Sequence, residues 1–210
     1  MRIDTISIYA STRVCCAGAC VLTCPSNISV SNDAGQCGAV VTYSMPGETG
    51  NCGGVVTSDH PSGEFFPVGT TTVTLTDTRL DGTTATCTFT VTVNDAEFSV
   101  VSNPSASPAM LWPPNHTMRD VTVNYTATDN CPGLNCVLSV TSNEPVIGTG
   151  DGDTSPDWEI VDAHHVRLRA ERAGTGSGRI YTITVTCTDA AGHPTTKTAT
   201  VVVAHNISGR

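Results

Sequence analysis

Aromatic residues are scarce in this 210-residue chain, with 4 Phe, 4 Tyr and 2 Trp making up 5 % of it, and charged residues reach only 14 %. Threonine, valine, serine and glycine fill the space instead, a mixture that favours pleated strands and tight turns over helices. Basic residues are outnumbered, 10 against 19 acidic ones, and the formal charge of -9 excludes the basic footprint that nucleic-acid phosphates require. The same charge suits a soluble surface, and it suits cations. No run of the roughly 18 apolar residues needed for a membrane helix occurs. The mildly apolar stretch from Ile6 to Leu22 is interrupted by Arg13, which also spoils it as a signal peptide. The chain is therefore expected to be either a mature form or a fragment of something longer. Nucleophile motifs are missing as well: "GTGSG" near Ser177 is not a Gly-x-Ser-x-Gly elbow and reads as a hairpin loop. No glycine-rich loop leading into a helix is there to hold a phosphate. With no nucleophile and base to name, the chain reads as not an enzyme.

Cysteine is the exception to this economy. Ten cysteines at uneven spacing, without paired CxxC motifs, are hard to reconcile with a reducing cytosol and point to an oxidising, extracellular or cell-surface setting. Sequons begin at Asn27, Asn115, Asn124 and Asn206. In a chain so rich in serine and threonine most of these arise by chance.

Alternation of period two recurs throughout, in Val73-Thr-Leu-Thr, Cys87-Thr-Phe-Thr-Val-Thr-Val, Val121-Thr-Val-Asn-Tyr, Ile183-Thr-Val-Thr-Cys and Val201-Val-Val. Each run puts apolar side chains on one face and threonines on the other, as half-buried antiparallel strands require. No comparable stretch of period 3.6 exists. Turn signals such as Asn32-Asp33-Ala34-Gly35, Pro46-Gly47, Asp81-Gly82 and Ala191-Gly192 separate the runs at the spacing of a sandwich. The fold class is all-β.

An internal echo sets the expected domain count. A shift of 110 residues lays Thr72–Val93 over Thr182–Val203 without a gap, with Gly82 on Gly192 and Val73, Leu75, Phe89, Val91 and Val93 on Ile183, Val185, Ala199, Val201 and Val203. One closing hairpin is thus used twice. The cysteines do not repeat with it, since Cys87 falls on Lys197 and Asp77 on Cys187. The linker-like "NPSASP" lies near the boundary. The expected organisation is a Cys-rich tail over 1–23, a first domain over 24–95 and a second over 96–210.

The first domain resembles the HYR (hyalin repeat) module. The opening Cys24-Pro, "CGAVVTY", "FPVGTTTVT" and the closing "CTFTVTV" come in family order, whereas "TDTRLDGTT" departs from the family's usual Asp-x-x-Gly-Asn turn. The resemblance implies an extracellular immunoglobulin-like β-sandwich. The second domain is similar to secreted bacterial immunoglobulin-like repeats in "LWPPNH", "ATDNC", "SNEPV", "GDGDTSPDW" and "VRLRAERAGTGSGR", and that likeness implies adhesion or surface architecture. By analogy with the HYR pattern, Cys24 is expected to pair with Cys87 and Cys37 with Cys52, although four cysteines allow three connectivities. In the second domain Cys187 takes an inward strand position and Cys136 begins "CVLSV", so these two are expected to pair. Cys15, Cys16, Cys20 and Cys131 remain. They either pair locally or with one another to anchor the tail, or at least one of them bridges to a neighbouring chain, the tail adding a strand to that chain's sheet edge.

The candidate metal ligands gather in the second domain. "GTGDGDTSPDW" supplies Asp151, Asp153 and Asp157, and the loops carrying Asp129 and Glu144 could meet it at one end of the sandwich, a set of hard oxygens that suits calcium. It is not an EF-hand, because Pro156 stands where that loop needs glycine. The competing reading is a solvated acidic turn, for which Asp and Gly are favoured anyway. His164 and His165, as strand neighbours, point to opposite faces and share no metal. Asp157, Glu159 and Asp162, against Arg167, Arg169 and Glu171, suggest cross-strand ion pairs. Trp112 either stacks on a sugar or partner or plugs the sandwich end. The resulting reading is an extracellular structural or adhesive protein, a fibre subunit or surface-protein segment that associates head-to-tail or with other surface proteins. The alternative is a non-catalytic polysaccharide- or protein-binding accessory module of a larger secreted enzyme.

Overall fold

The computed structural model describes residues 21–49, 53–146, 155–174 and 177–204. Every regular element among these residues is a strand, and no helix there is long and apolar enough to cross a membrane. Two compact units emerge among the described residues: 21–30 together with Gly38–Val93, and Ser31–Cys37 together with the described residues from Asn94 on.

The first unit contains β1 (Val21–Leu22), β2 (Ile28–Ser31), β3 (Gly38–Val41), β4 (Glu48–Thr49), β5 (Val55–Ser58), β6 (Glu64–Pro67), β7 (Gly69–Thr78) and β8 (Thr84–Asn94). Its main sheet runs β2-β8-β7-β5, and β3 pairs with β6. Threonines on β7 and β8 alternate with Val73, Leu75, Phe89, Val91 and Val93, all buried, which pack with Ala39, Val41 and Phe66 from the smaller sheet. Sulfur reinforces this core, as Cys24 and Cys87, partly buried against it, form a disulfide.

The second unit contains β9 (Val100–Val101), β10 (Ser105–Ser107), β11 (Met110–Leu111), β12 (Met118–Asn124), β13 (Ala127–Thr128), β14 (Asn135–Ser142), β15 (Trp158–Ile160), β16 (His165–Arg169), β17 (Gly178–Thr188) and β18 (Pro194–Ala204). Two four-stranded sheets, β10-β12-β16-β15 and β11-β18-β17-β14, enclose its core. Val121, Val123, Val166 and Leu168 come from the first sheet, and Leu138, Val140, Ile183, Val185, Val201 and Val203 from the second. This is the two-layer packing of a sandwich, each strand sending alternate residues inward.

The repeated hairpin is repeated in register. Val73 stands opposite Phe89 on β7 and β8, and Ile183 opposite Ala199 on β17 and β18. The turns match as well: Thr83 and His193 carbonyls accept from the Arg79 and Asp189 amides, and Gly82 and Gly192 adopt φ of 82° and 94°. Only glycine enters that region without a steric penalty.

Cys136 and Cys187 are directly opposed on β14 and β17 and are bridged, with Cα atoms 4.0 Å apart. Cys37 departs from expectation, forming its disulfide with Cys131 and not with Cys52. The cause lies in the segment Ser31–Cys37, which groups with the second unit. The Gln36 carbonyl accepts from Asn32 Nδ2 and from Asn130 Nδ2, both at 3.0 Å, and the second of these bonds draws the segment to the turn that carries Cys131. Cys131 is therefore not available to anchor the tail. Cys52, Cys15, Cys16 and Cys20 lie outside the described residues.

Candidate functional site

The acidic residues singled out in the sequence separate into two places within the second unit. Asp157 and Glu144 converge on Arg179. The Arg179 side chain, fully buried at the start of β17, donates through Nη1 to Asp157 Oδ2 at 2.5 Å, through Nε to Glu144 Oε2 at 3.3 Å and through Nη2 to the Pro145 carbonyl at 3.1 Å. Glu171 Oε1 stands 4.0 Å from the same Nη1, and the Tyr181 hydroxyl accepts from it at 3.2 Å. Burial opposes the guanidinium's charge. The hydrogen bond to Tyr181 and the nearby carboxylate of Asp157 outweigh it and hold the group above its ordinary value. The same burial pushes the Tyr181 hydroxyl up to about 12, and it serves as a donor to the Arg169 carbonyl at 2.9 Å. The cation that Asp157 and Glu144 face is thus an arginine of the chain itself. Asp151 and Asp153 lie outside the described residues.

Asp129 sits apart from that network, on the turn after β13, where its Oδ1 accepts the Cys131 amide at 2.9 Å. Its acidic neighbour is Asp95, at the end of β8: one carboxylate oxygen from each and the Cys131 sulfur lie within 4.8 Å of one another. Sequence reasoning missed Asp95, and the only signal there was the boundary position of the "VND" that closes the first repeat.

The ion-pair expectation for β15 and β16 is met at one position. Glu159 and Arg167 are cross-strand partners with Nη1 3.5 Å from Oε2, and Arg167 also donates to Asp120. Arg169, expected in the same row, is instead buried and spends its donors on the His116 and Pro156 carbonyls. His165 binds Asp162, while His164 stacks on Tyr125 with ring centroids 4.4 Å apart. Trp112 does not plug the sandwich. Leu111, paired in parallel with Val203, is the buried residue there, and Trp112 is 41 % exposed beside Met110 at 53 %. The sequon Asn27 accepts the Thr90 amide and Asn115 accepts the Thr117 amide and hydroxyl. Asn206 lies outside the described residues.

Solved structures to which the chain is similar include cadherin ectodomains. A crystal form of extracellular domains 1–4 of protocadherin gamma B7 is 12 % identical, covers 85 % of this chain and 47 % of its own, and gives a TM-score of 0.36. Drosophila N-cadherin EC1-4 is 10 % identical over 84 % of this chain and 47 % of its own, with a TM-score of 0.33. The chain therefore spans about half the length of these two ectodomain structures. No curated protein sequence matches it closely enough to count as a relative. The family model of the HYR domain matches residues 19–93, so that stretch of the chain carries an HYR domain.

Proposed function

We propose that the chain is an extracellular structural or adhesive segment, with an HYR domain over 24–95, a second immunoglobulin-like domain over 96–210 and an N-terminal tail over 1–23 that engages a neighbouring chain. The observation that carries this reading is the set of three disulfides, among the described residues, spread over both units of an all-β chain that matches the HYR domain over residues 19–93. Such bridges persist in oxidising compartments, and they supply passive mechanical strength. A tail strand added to an open edge, repeated head to tail, yields a filament. Negative-stain electron microscopy with non-reducing gels tests this. Filaments and a ladder of covalent oligomers that collapses on reduction are the expected result; a monomer band only, with every cysteine bridged within its own chain, removes the covalent fibre.

A further inference from the structure

Every other buried acid in the described residues has a basic side chain at hand. Asp77 meets Arg79 at 3.1 Å, Asp157 meets Arg179, Glu171 meets His116 at 2.9 Å, and Asp189 meets His193 at 3.0 Å. Asp95, 8 % exposed, has another carboxylate instead. Its Oδ1 is occupied, accepting the Glu97 amide at 3.2 Å and Asn130 Nδ2 at 3.4 Å. Its Oδ2 is buried and accepts nothing, and the same holds for Asp129 Oδ2 and Asn130 Oδ1. A fourth such oxygen belongs to Ser99, 4 % exposed, whose hydroxyl has no partner. Register places Ser99 across from Asp129, because Thr128 pairs with Val100 on β13 and β9. Two carboxylates, each with one oxygen bonded and the other buried without a donor, thus stand together, with the unpaired oxygen of Asn130 next in sequence to Asp129 and that of Ser99 opposite it in register. Left so, each orphaned oxygen costs about 1–3 kcal/mol, and the carboxylates repel one another besides.

We propose that Asp95, Asp129 and Asn130, with Ser99 beside them, bind one calcium-class divalent cation. The donor chemistry selects the ion. All four groups offer hard oxygens, which suit calcium, whereas zinc and its neighbours ask for imidazole or thiolate. The sulfur of Cys131 is committed to Cys37 and offers no thiolate. Magnesium retains most of its water and holds to a stricter octahedron. One oxygen of each carboxylate is already fixed by the Glu97 or Cys131 amide, which orients the other before any ion arrives. Backbone carbonyls and water complete the shell. Asp129 is therefore retained from the acidic set expected from sequence. Asp95 replaces Glu144 and Asp157, whose charge Arg179 already balances.

The inference does not depend on fibre formation and is tested on the intact, oxidised chain stripped with chelator. Calcium titrated by calorimetry is expected to bind at one site per chain, with a Kd of about 10⁻⁴–10⁻³ M, the range of extracellular modules. At about 10 mM calcium the melting temperature is expected to rise by roughly 5 °C or more. Asp95→Asn and Asp129→Asn should each weaken binding at least about tenfold, and Asn130→Ala by less. In the absence of calcium both Asp variants should melt no lower than the parent, since they relieve a like-charge pair; a residue needed only for structure would melt lower. A parent chain silent to calcium in both measurements overturns the proposal. So does full binding in the Asp95→Asn/Asp129→Asn double variant, or binding lost on Asp151→Asn/Asp153→Asn substitution and kept in that double variant.

Discussion

At the scale of single residues, charge inside the second unit is organised around Arg179. Its donors reach two carboxylates, a carbonyl and a hydroxyl, so removing it strands several acceptors at once. Arg179→Met is expected to lower stability by about 3–5 kcal/mol, because breaking a buried pair leaves its partner's charge uncompensated. Urea unfolding checks this, and adding Asp157→Asn should return part of the loss. Asp189 offers a test in pH. Burial raises its carboxyl, but the His193 amide and ring, donating at 2.8 and 3.0 Å, win and hold it below 3.8. A carboxyl lowered on folding contributes stability that is complete above its unfolded value and fades as pH falls through the folded one. The advantage of the parent over Asp189→Asn should thus be full at neutral pH and shrink below about pH 4, as measured by melting temperature across an acid series. Neither Arg179's role nor the orphaned oxygens near Asp95 could be read along the chain, since both depend on residues brought together from distant strands.

At the scale of elements, the period-two runs were legible because each strand has one wet and one dry face. The strongest case is the echo between Thr72–Val93 and Thr182–Val203, whose aligned apolar residues are buried in both copies and paired in the same register. Short strands left no such trace. β9, β11 and β13 are two residues each, too few for alternation, and exist because longer neighbours offer them a pairing edge. The β3–β6 pair depends on one glycine. A Cβ on Gly38 would run into the Phe65 ring and the backbone carbonyl of Phe66. The ring can turn aside, but the carbonyl belongs to the paired strand. Gly38→Ala is expected to cost about 1–3 kcal/mol by overpacking, visible as a lower urea midpoint with the slope unchanged.

At the scale of the whole molecule, the disulfides among the described residues close loops of 63, 94 and 51 residues in sequence separation. Constraint of the unfolded chain grows slowly with loop length, and a loop near 100 residues is worth up to about 4–5 kcal/mol. Cys37→Ser with Cys131→Ser should therefore lower the unfolding free energy by less than this ceiling, because the loop overlaps that of Cys24–Cys87. An unshifted urea midpoint, together with peptide mapping that finds Cys37 bound to Cys52, would sink the pairing. The sequence alone determined the all-β class, the repeated hairpin and the Cys136–Cys187 bridge, because alternation, turn glycines and inward cysteines are properties of neighbouring residues, whereas Cys24–Cys87 was implied by the HYR resemblance. Tertiary structure decided the partner of Cys37, the arginine that occupies Asp157 and Glu144, and the meeting of Asp95 with Asp129. Each of these joins segments separated along the chain, and a contact of that kind is chosen by which surfaces the folded strands bring within a few ångströms.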